Sequence, residues 1–252
     1  MSTRVLKFAM LAAAFFAIPP CFSADVNLYI TRHGKTMFNT VERTQGWSDT
    51  PLTAPGVEVA RKVGKGLEGK EFISVWSSDS GRARETARLI MENWKEQLPL
   101  NERVGLREVC FGSFEGERNH VMRTAFAKEL GFADMNVAME AYQSGKSTMK
   151  DIIDGIHRAD KTGGAETFQQ VSDRMTNTIT EIARRAQKQG GGNVLIVSHG
   201  MAIITLLDSL NPQKPNRQML DNASISKVRY TDEGKFIIES VNDMSWAQKG
   251  NL

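Results

Sequence analysis

Apolar residues fall along this chain in two alternating rhythms, short continuous runs and stripes at helical spacing. Val26-Asn27-Leu28-Tyr29-Ile30-Thr31 is a β-rich run that stops abruptly at Arg32-His33-Gly34. Residues 53–67 follow with Val57, Ala60, Val63 and Leu67 along one helical face and Thr53 placed to cap it. Phe72-Ile73-Ser74-Val75-Trp76-Ser77 predicts a second strand, and a polar helix is expected from Ser80 to about Trp94. A long helix over 167–189 should end at Gly190-Gly191-Gly192. The continuous apolar strand Asn193-Val194-Leu195-Ile196-Val197-Ser198 comes next, ending at His199-Gly200 and feeding an apolar helix. Two more strands are predicted at 223–230 and 235–241, around the turn Asp232-Glu233-Gly234.

Strands alternating with helices argue for an α/β fold of three layers, α/β/α, with a mainly parallel central sheet. Between about Glu117 and Gly164 the rhythm changes to mixed helix and loop. That stretch reads as a helical and loop insertion over the active-site edge of one domain spanning 25–252. Within it Phe126, Leu130, Phe132, Met135, Met139 and Tyr142 fit either an apolar lid or, more simply, core packing.

The first residues follow neither rhythm. Arg4 and Lys7 precede an apolar run of eleven residues, Phe8 to Ile18, closed by Pro19-Pro20 and then by small residues at Ser23 and Ala24. The run is short for a membrane span and suits the h-region of a signal peptide over residues 1–24. Cleavage after Ser23 or Ala24 would give an exported protein, periplasmic or secreted, with no stable membrane anchor. It would lower the formal charge from +3 by Arg4 and Lys7, to +1. So slight a basic excess gives no reason to expect nucleic acid as a partner. Of the two cysteines only Cys110 would remain, which excludes an internal disulfide framework.

Four histidines supply the candidate chemistry. His33 and His199 share one context, a β-rich run, a polar residue, the histidine and then glycine. In an open α/β sheet ligands bind at the carboxyl ends of strands, so both imidazoles are expected at one sheet edge. Arg32 beside His33 and Arg82 at a helix start could grip phosphate oxygens in a guanidinium fork. His120 and His157 lie in the insertion without ligand spacing and read as surface or packing residues, so a metal site has little support.

Five stretches in order make the pattern specific. They are Arg32-His33-Gly34-Lys35-Thr36 with Asn39, Gln45-Gly46, Asp49 and Pro51-Leu52-Thr53; Ser77-Ser78-Asp79 with Arg82-Ala83; Leu106-Arg107-Glu108 with Phe111-Gly112-Ser113-Phe114-Glu115-Gly116; Gly163-Gly164-Ala165-Glu166-Thr167-Phe168; and Val197-Ser198-His199-Gly200. Together they resemble the histidine phosphatase superfamily in its phosphoglycerate-mutase-like branch. The resemblance implies that His33 is the nucleophile and becomes phosphohistidine. It implies that Arg32, Arg82 and His199 hold the phosphoryl oxygens, and that Glu108 donates a proton to the leaving alcohol and later serves as base for water. It sets Asn39, Gln45, Gly46 and Gly200 on the substrate side, and it implies no metal or cofactor. Lys35 stands where the family often has Glu or Gln.

The Cys110-to-Gly116 stretch looks more like the broad phosphatases than the mutases, which resemble Arg-His-Tyr-Gly there. The insertion also mixes its basic residues with Asp134, Glu140, Asp151 and Asp154. The expected activity is therefore hydrolysis of a small phosphorylated substrate. A phosphoglycerate-type mutase and a non-catalytic phospho-ligand binder are the alternatives. Neither the substrate nor the oligomeric state can be read from the sequence.

Overall fold

The computed structural model describes residues 24–250, so the proposed leader, Ala24 apart, lies outside the described residues. Six strands form one sheet: β1 (Val26–Arg32), β2 (Phe72–Ser77), β3 (Leu100–Glu102), β4 (Gly192–Ser198), β5 (Ile225–Tyr230) and β6 (Phe236–Asp243). Their order across the sheet is β3-β2-β4-β1-β5-β6. The first four run parallel, whereas β5 pairs antiparallel with both β1 and β6.

The helices are α1 (Met37–Thr40), α2 (Ala54–Gly66), α3 (Gly81–Met91), α4 (Asn119–Glu129), α5 (Met135–Ser144), α6 (Met149–Ala159), α7 (Phe168–Lys188), α8 (Gly200–Leu210) and α9 (Ser245–Lys249). The period-2 side-chain alternation of the buried strands divides them between two apolar layers. Val26, Leu28 and Ile30 of β1 pack with α4 to α8, while Tyr29 packs with α2, α3 and α9. Three layers are thus built, as the alternation of elements predicts.

Local chemistry sets the boundaries. Thr53 caps α2 by accepting the Gly56 N–H, and Thr36, Thr148 and Thr167 each form a reciprocal capping box with the residue three further on. The glycine stop after α7 works through left-handed backbone, with φ of 101°, 77° and 125° at Gly190, Gly191 and Gly192. The polar helix predicted to reach Trp94 ends instead at Met91. Trp94 leaves it to stack on Phe72 at a ring separation of 4.6 Å. Strand β3 is too short to show as a periodic run, and α9 is a single turn whose Ala247 is buried with the α2 and α3 side chains.

The insertion is built of three helices, α4, α5 and α6, joined by short loops. Met122, Phe126, Tyr142, Met149, Ile153 and Ile156 join the same apolar cluster as β1 and β4. It is a second storey of the main core.

Candidate active site

Strands β1 and β4 are hydrogen-bonded neighbours, with Arg32 opposite Ser198. The next residue of each is a histidine, so the sheet itself brings the two imidazoles together. Their ring centroids are 5.2 Å apart. The His33 N–H donates to the Ser198 carbonyl at 3.0 Å, and both side chains are buried.

His33 Nδ1 lies 2.8 Å from the Gly34 carbonyl. A carbonyl can only accept, so Nδ1 carries the proton and Nε2 keeps its lone pair. Burial, reinforced by the Arg82 and Arg32 cations, holds His33 well below the ordinary imidazole value. It is therefore a neutral base at neutral pH. Burial likewise depresses His199, with Arg82 and His33 adding to it. His199 Nε2 is 2.7 Å from Ser78 Oγ. When the hydroxyl donates there, Nδ1 of His199 becomes a buried donor.

That Nδ1 has no protein partner, and neither has the buried Nε of Arg32 or of Arg82. An unmatched buried donor costs about 1–3 kcal/mol. A phosphoryl group carries acceptors suited to such donors.

Glu108 approaches from the segment between β3 and α4, and its carboxylate sits on the N-terminus of α8. Oε1 accepts from Val109 N at 3.0 Å and Ala202 N at 2.7 Å, and Oε2 accepts from Met201 N at 3.1 Å. Burial raises its pKa above the ordinary value, opposed by those three N–H groups and by the Arg82 charge. Such a carboxyl is suited to exchange a proton at neutral pH.

Three of the expected residues are also tied into the surrounding protein. The Arg82 side chain has no solvent exposure, and three of its N–H bonds go to the preceding loop: Nη1 to Ser48 O and Asp49 Oδ1, Nη2 to Gly46 O. It anchors that loop, and its buried Nε has no protein partner. Gln45, expected on the substrate side, has its amide engaged at both ends, accepting from Thr36 Oγ1 and donating to Thr50 Oγ1. Gly46 is a close-packing position rather than a binding one. A Cβ there would lie 2.2 Å from both Val109 O and Glu115 Oε1. Asn39 accepts from Thr36 N and Asn222 Nδ2, which leaves its own amide N–H groups for a ligand. Gly200 lets α8 start against Arg32, since a Cβ would sit 3.3 Å from Arg32 Nε.

Several supporting residues carry no signal that local pattern could expose. The Glu115 carboxylate gathers the N–H groups of Gly46, Trp47, Ser48 and Phe111. Arg174 on α7 clamps Glu166 bidentately and donates to the carbonyls of Gly105, Arg107 and Glu108. It thereby fixes the segment that presents Glu108. Asn222 donates to the His33 carbonyl. Glu115, Glu166 and Asp49 stand inside the quoted motifs without an assigned task, whereas Arg174 and Asn222 stand outside them.

A cavity of about 170 Å³ opens beside His33, lined by Arg32, His33, Asn39, Gln45, Glu108 and Gly200 among the expected residues. Arg82, His199 and Gly46 are not among the residues that line it. His120 is exposed and His157 Nδ1 is held by the Ala165 carbonyl, so neither joins the site. Lys35 faces solvent. Burial raises the pKa of the Cys110 thiol, which keeps it protonated and unreactive. Among the described residues no group of three or more His, Cys, Asp or Glu side chains is arranged to hold a metal.

Comparison with known proteins gives this arrangement its relatives. The sequence profile described as histidine phosphatase superfamily (branch 1) matches residues 28–161 and 148–244. The "Probable phosphoglycerate mutase GpmB" of Salmonella choleraesuis is 28% identical over 227 residues, 87% of this chain and 94% of that protein. Among solved structures, a phosphoglycerate mutase from Bacillus anthracis is 42% identical, covering 92% of this chain and 99% of its own, with a TM-score of 0.85. An alpha-ribazole phosphatase from Shigella flexneri is 25% identical, covering 87% and 97%, with a TM-score of 0.64. With the profile spanning nearly all the described residues, and two strand-end histidines meeting at one sheet edge, the chain belongs to the histidine phosphatase superfamily, branch 1.

Proposed function

We propose that the protein hydrolyses phosphate monoesters through a phosphohistidine on His33. The observation that carries this reading is the His33 imidazole, neutral, buried and oriented by Gly34 so that Nε2 keeps its lone pair. In the first step Nε2 attacks phosphorus, the P–O bond to the alcohol breaks, and Glu108 gives its proton to the leaving oxygen. In the second step Glu108 takes a proton from water, the hydroxide attacks phosphorus, and the P–N bond breaks to release inorganic phosphate. Two easier displacements replace one difficult one. Arg32, Arg82 Nε and His199 supply the positive field and donors for the transferring group. Every step uses side chains of this chain alone, so activity should persist with a chelator present.

The phosphomutase reading is favoured by the likeness to the Bacillus anthracis phosphoglycerate mutase, 42% identical. Hydrolysis is favoured by the cavity beyond the phosphoryl end. Arg43 and Arg123 border it, and the rest of its lining includes the apolar side chains Met122, Phe126, Met139, Met149, Ile152 and Ile156. The leader reading further places the activity outside the cytoplasm, which cell fractionation checks.

The decisive experiment incubates the protein with labelled phenyl phosphate, with and without a bisphosphoglycerate primer. Release of inorganic phosphate and an acid-labile labelled protein are expected, and both should disappear in His33→Ala. Phosphate release at an unchanged rate in that variant would sink the mechanism. Primer-dependent isomerisation of phosphoglycerate without release would establish the mutase instead, and stoichiometric binding without labelling would establish a non-catalytic binder.

A further inference from the structure

The cavity beside His33 has two unlike ends. The phosphoryl end is polar, formed by Arg32, His33, Asn39 and Glu108. The remainder is dominated by the insertion. Helix α4 contributes Met122 and Phe126, α5 contributes Met139, and α6 contributes Met149, Ile152 and Ile156. The spacing on α6 is three and then four residues, so one face of that helix both closes the core and floors the cavity. Met201 and Met219 add to the wall, so five of the chain's 12 methionines line this one space. Methionine is flexible and polarizable and fills irregular shapes, which suits apolar guests of varied outline.

Two cations border the same space. One guanidinium nitrogen of Arg43 donates to the Gly116 carbonyl, and Arg123 Nη1 lies against Met135 Sδ at 3.7 Å. Glu108 is the only carboxylate on the wall. The field therefore attracts a phosphate dianion; Thr44, Gln45 and Asn119 also line the space, and the thioether and methyl surfaces of α4, α5 and α6 offer hydroxyl groups no partner. Seated against those apolar faces, a sugar or glycerate body would leave its hydroxyls unpaired. An alkyl or aryl body would not.

Building on the phosphatase reading, we infer that the substrate is a phosphate monoester of an alcohol with an apolar body, seated against the methionine and isoleucine faces of α4, α5 and α6. The insertion, in this view, chooses the leaving group.

A series of n-alkyl phosphates from ethyl to hexyl tests this. The acidity of the leaving alkanol is nearly constant along it, so changes in kcat/KM report burial of the chain. Each methylene transferred from water should raise kcat/KM about fourfold until the cavity is filled. Met139→Gln, at a partly exposed position, should reduce that increment, and Met139→Leu should restore it. A flat or falling series, or glycerol 3-phosphate turned over as well as butyl phosphate, would overturn the inference while leaving the phosphatase reading intact. If no ester is hydrolysed, the phosphatase reading fails. Calorimetric dissociation constants for the same alkyl phosphates then decide the apolar site. A matching increment per methylene supports it, and equal affinities refute it.

Discussion

Replacing Glu108 by Gln separates proton transfer from everything else at the site. The side chain keeps its size, and its remaining oxygen can still accept from Val109 and Ala202, the two bonds now made by Oε1. The new amide group would face the Met201 N–H, donor against donor. That mismatch costs about 1–3 kcal/mol and is offset in part because a buried charge is removed, so the variant should fold. The catalytic loss should be larger. A positioned general acid contributes about 100- to 10,000-fold, or roughly 3–5 kcal/mol of barrier.

The loss should also depend on the leaving group. An alkanol departs only with a proton, so butyl phosphate should lose the full factor. Nitrophenolate departs unaided, so phosphorylation of His33 by nitrophenyl phosphate should be nearly normal. The second step still needs a base for water, and phosphohistidine should then accumulate. Rapid mixing should show a burst of nitrophenolate equal to the enzyme concentration, followed by slow turnover. Because the folded-state pKa of Glu108 is raised, the wild type should also lose kcat/KM on alkyl esters as pH rises through that value, and the variant should lack this limb. Equal losses on both esters, with no burst, would refute the assignment of Glu108 as acid and base.

Arg174→Lys should lower kcat on butyl phosphate about 10- to 100-fold and spare the nitrophenyl burst, because Lys cannot reproduce the bidentate grip on Glu166 that positions Glu108. Steady-state and burst kinetics on the two esters check it. Asp208 lies outside the site, largely buried on α8, and burial lifts its pKa from 3.8 to about 6. The cost of its charge is full above pH 6 and absent below the unfolded value. Asp208→Asn should therefore stabilise by about 1–2 kcal/mol at pH 7.5, after allowance for solvent screening, and by nothing at pH 4 in urea titrations. His33 and His199 have the opposite sign. Their folded-state pKa values are depressed, so the unfolded chain binds the extra protons and stability falls as pH drops below the unfolded value near 6.5. His199→Gln should reduce that slope by about 1.4 kcal/mol per pH unit in denaturant titrations between pH 6 and 5.

What the sequence discloses and what it withholds divide along physical lines. The pairing of His33 with His199 is legible because two buried strands of like composition end alike, and parallel neighbours deliver their next residues to one edge. Glu108 is legible only through the surrounding motif, since nothing local says that its carboxylate rests on α8. Arg174 is invisible because its partners, Glu166 and the carbonyls of 105 to 108, are set by the docking of α7 and not by spacing along it. That the amide of Gln45 is held by Thr36 and Thr50, and that Gly46 is closely packed, cannot be read from a motif, which names positions without saying which way an amide faces. The apolar residues of the insertion illustrate a different limit. Phe126, Leu130, Phe132 and Met139 all belong to or pack against the core, yet Phe126 and Met139 line the cavity as well, and helical periodicity does not tell them apart.

That division explains how close relatives of such a chain can carry different names. The phosphoryl end is fixed by features that tolerate little change: register between β1 and β4, the buried Arg82 anchored on loop carbonyls, and the Glu115 carboxylate binding four backbone N–H groups. Altering any of them exposes unpaired buried donors or acceptors, each costing about 1–3 kcal/mol. The leaving-group end is set by apolar side chains on α4, α5 and α6, where exchange of one hydrophobic residue for another of similar volume usually costs less than about 1.5 kcal/mol. Substitutions there change which ester fits without disturbing how His33 is presented. If α4, α5 and α6 choose the ester, as proposed, a chain can keep 42% identity with a protein named a mutase and still differ from it in substrate.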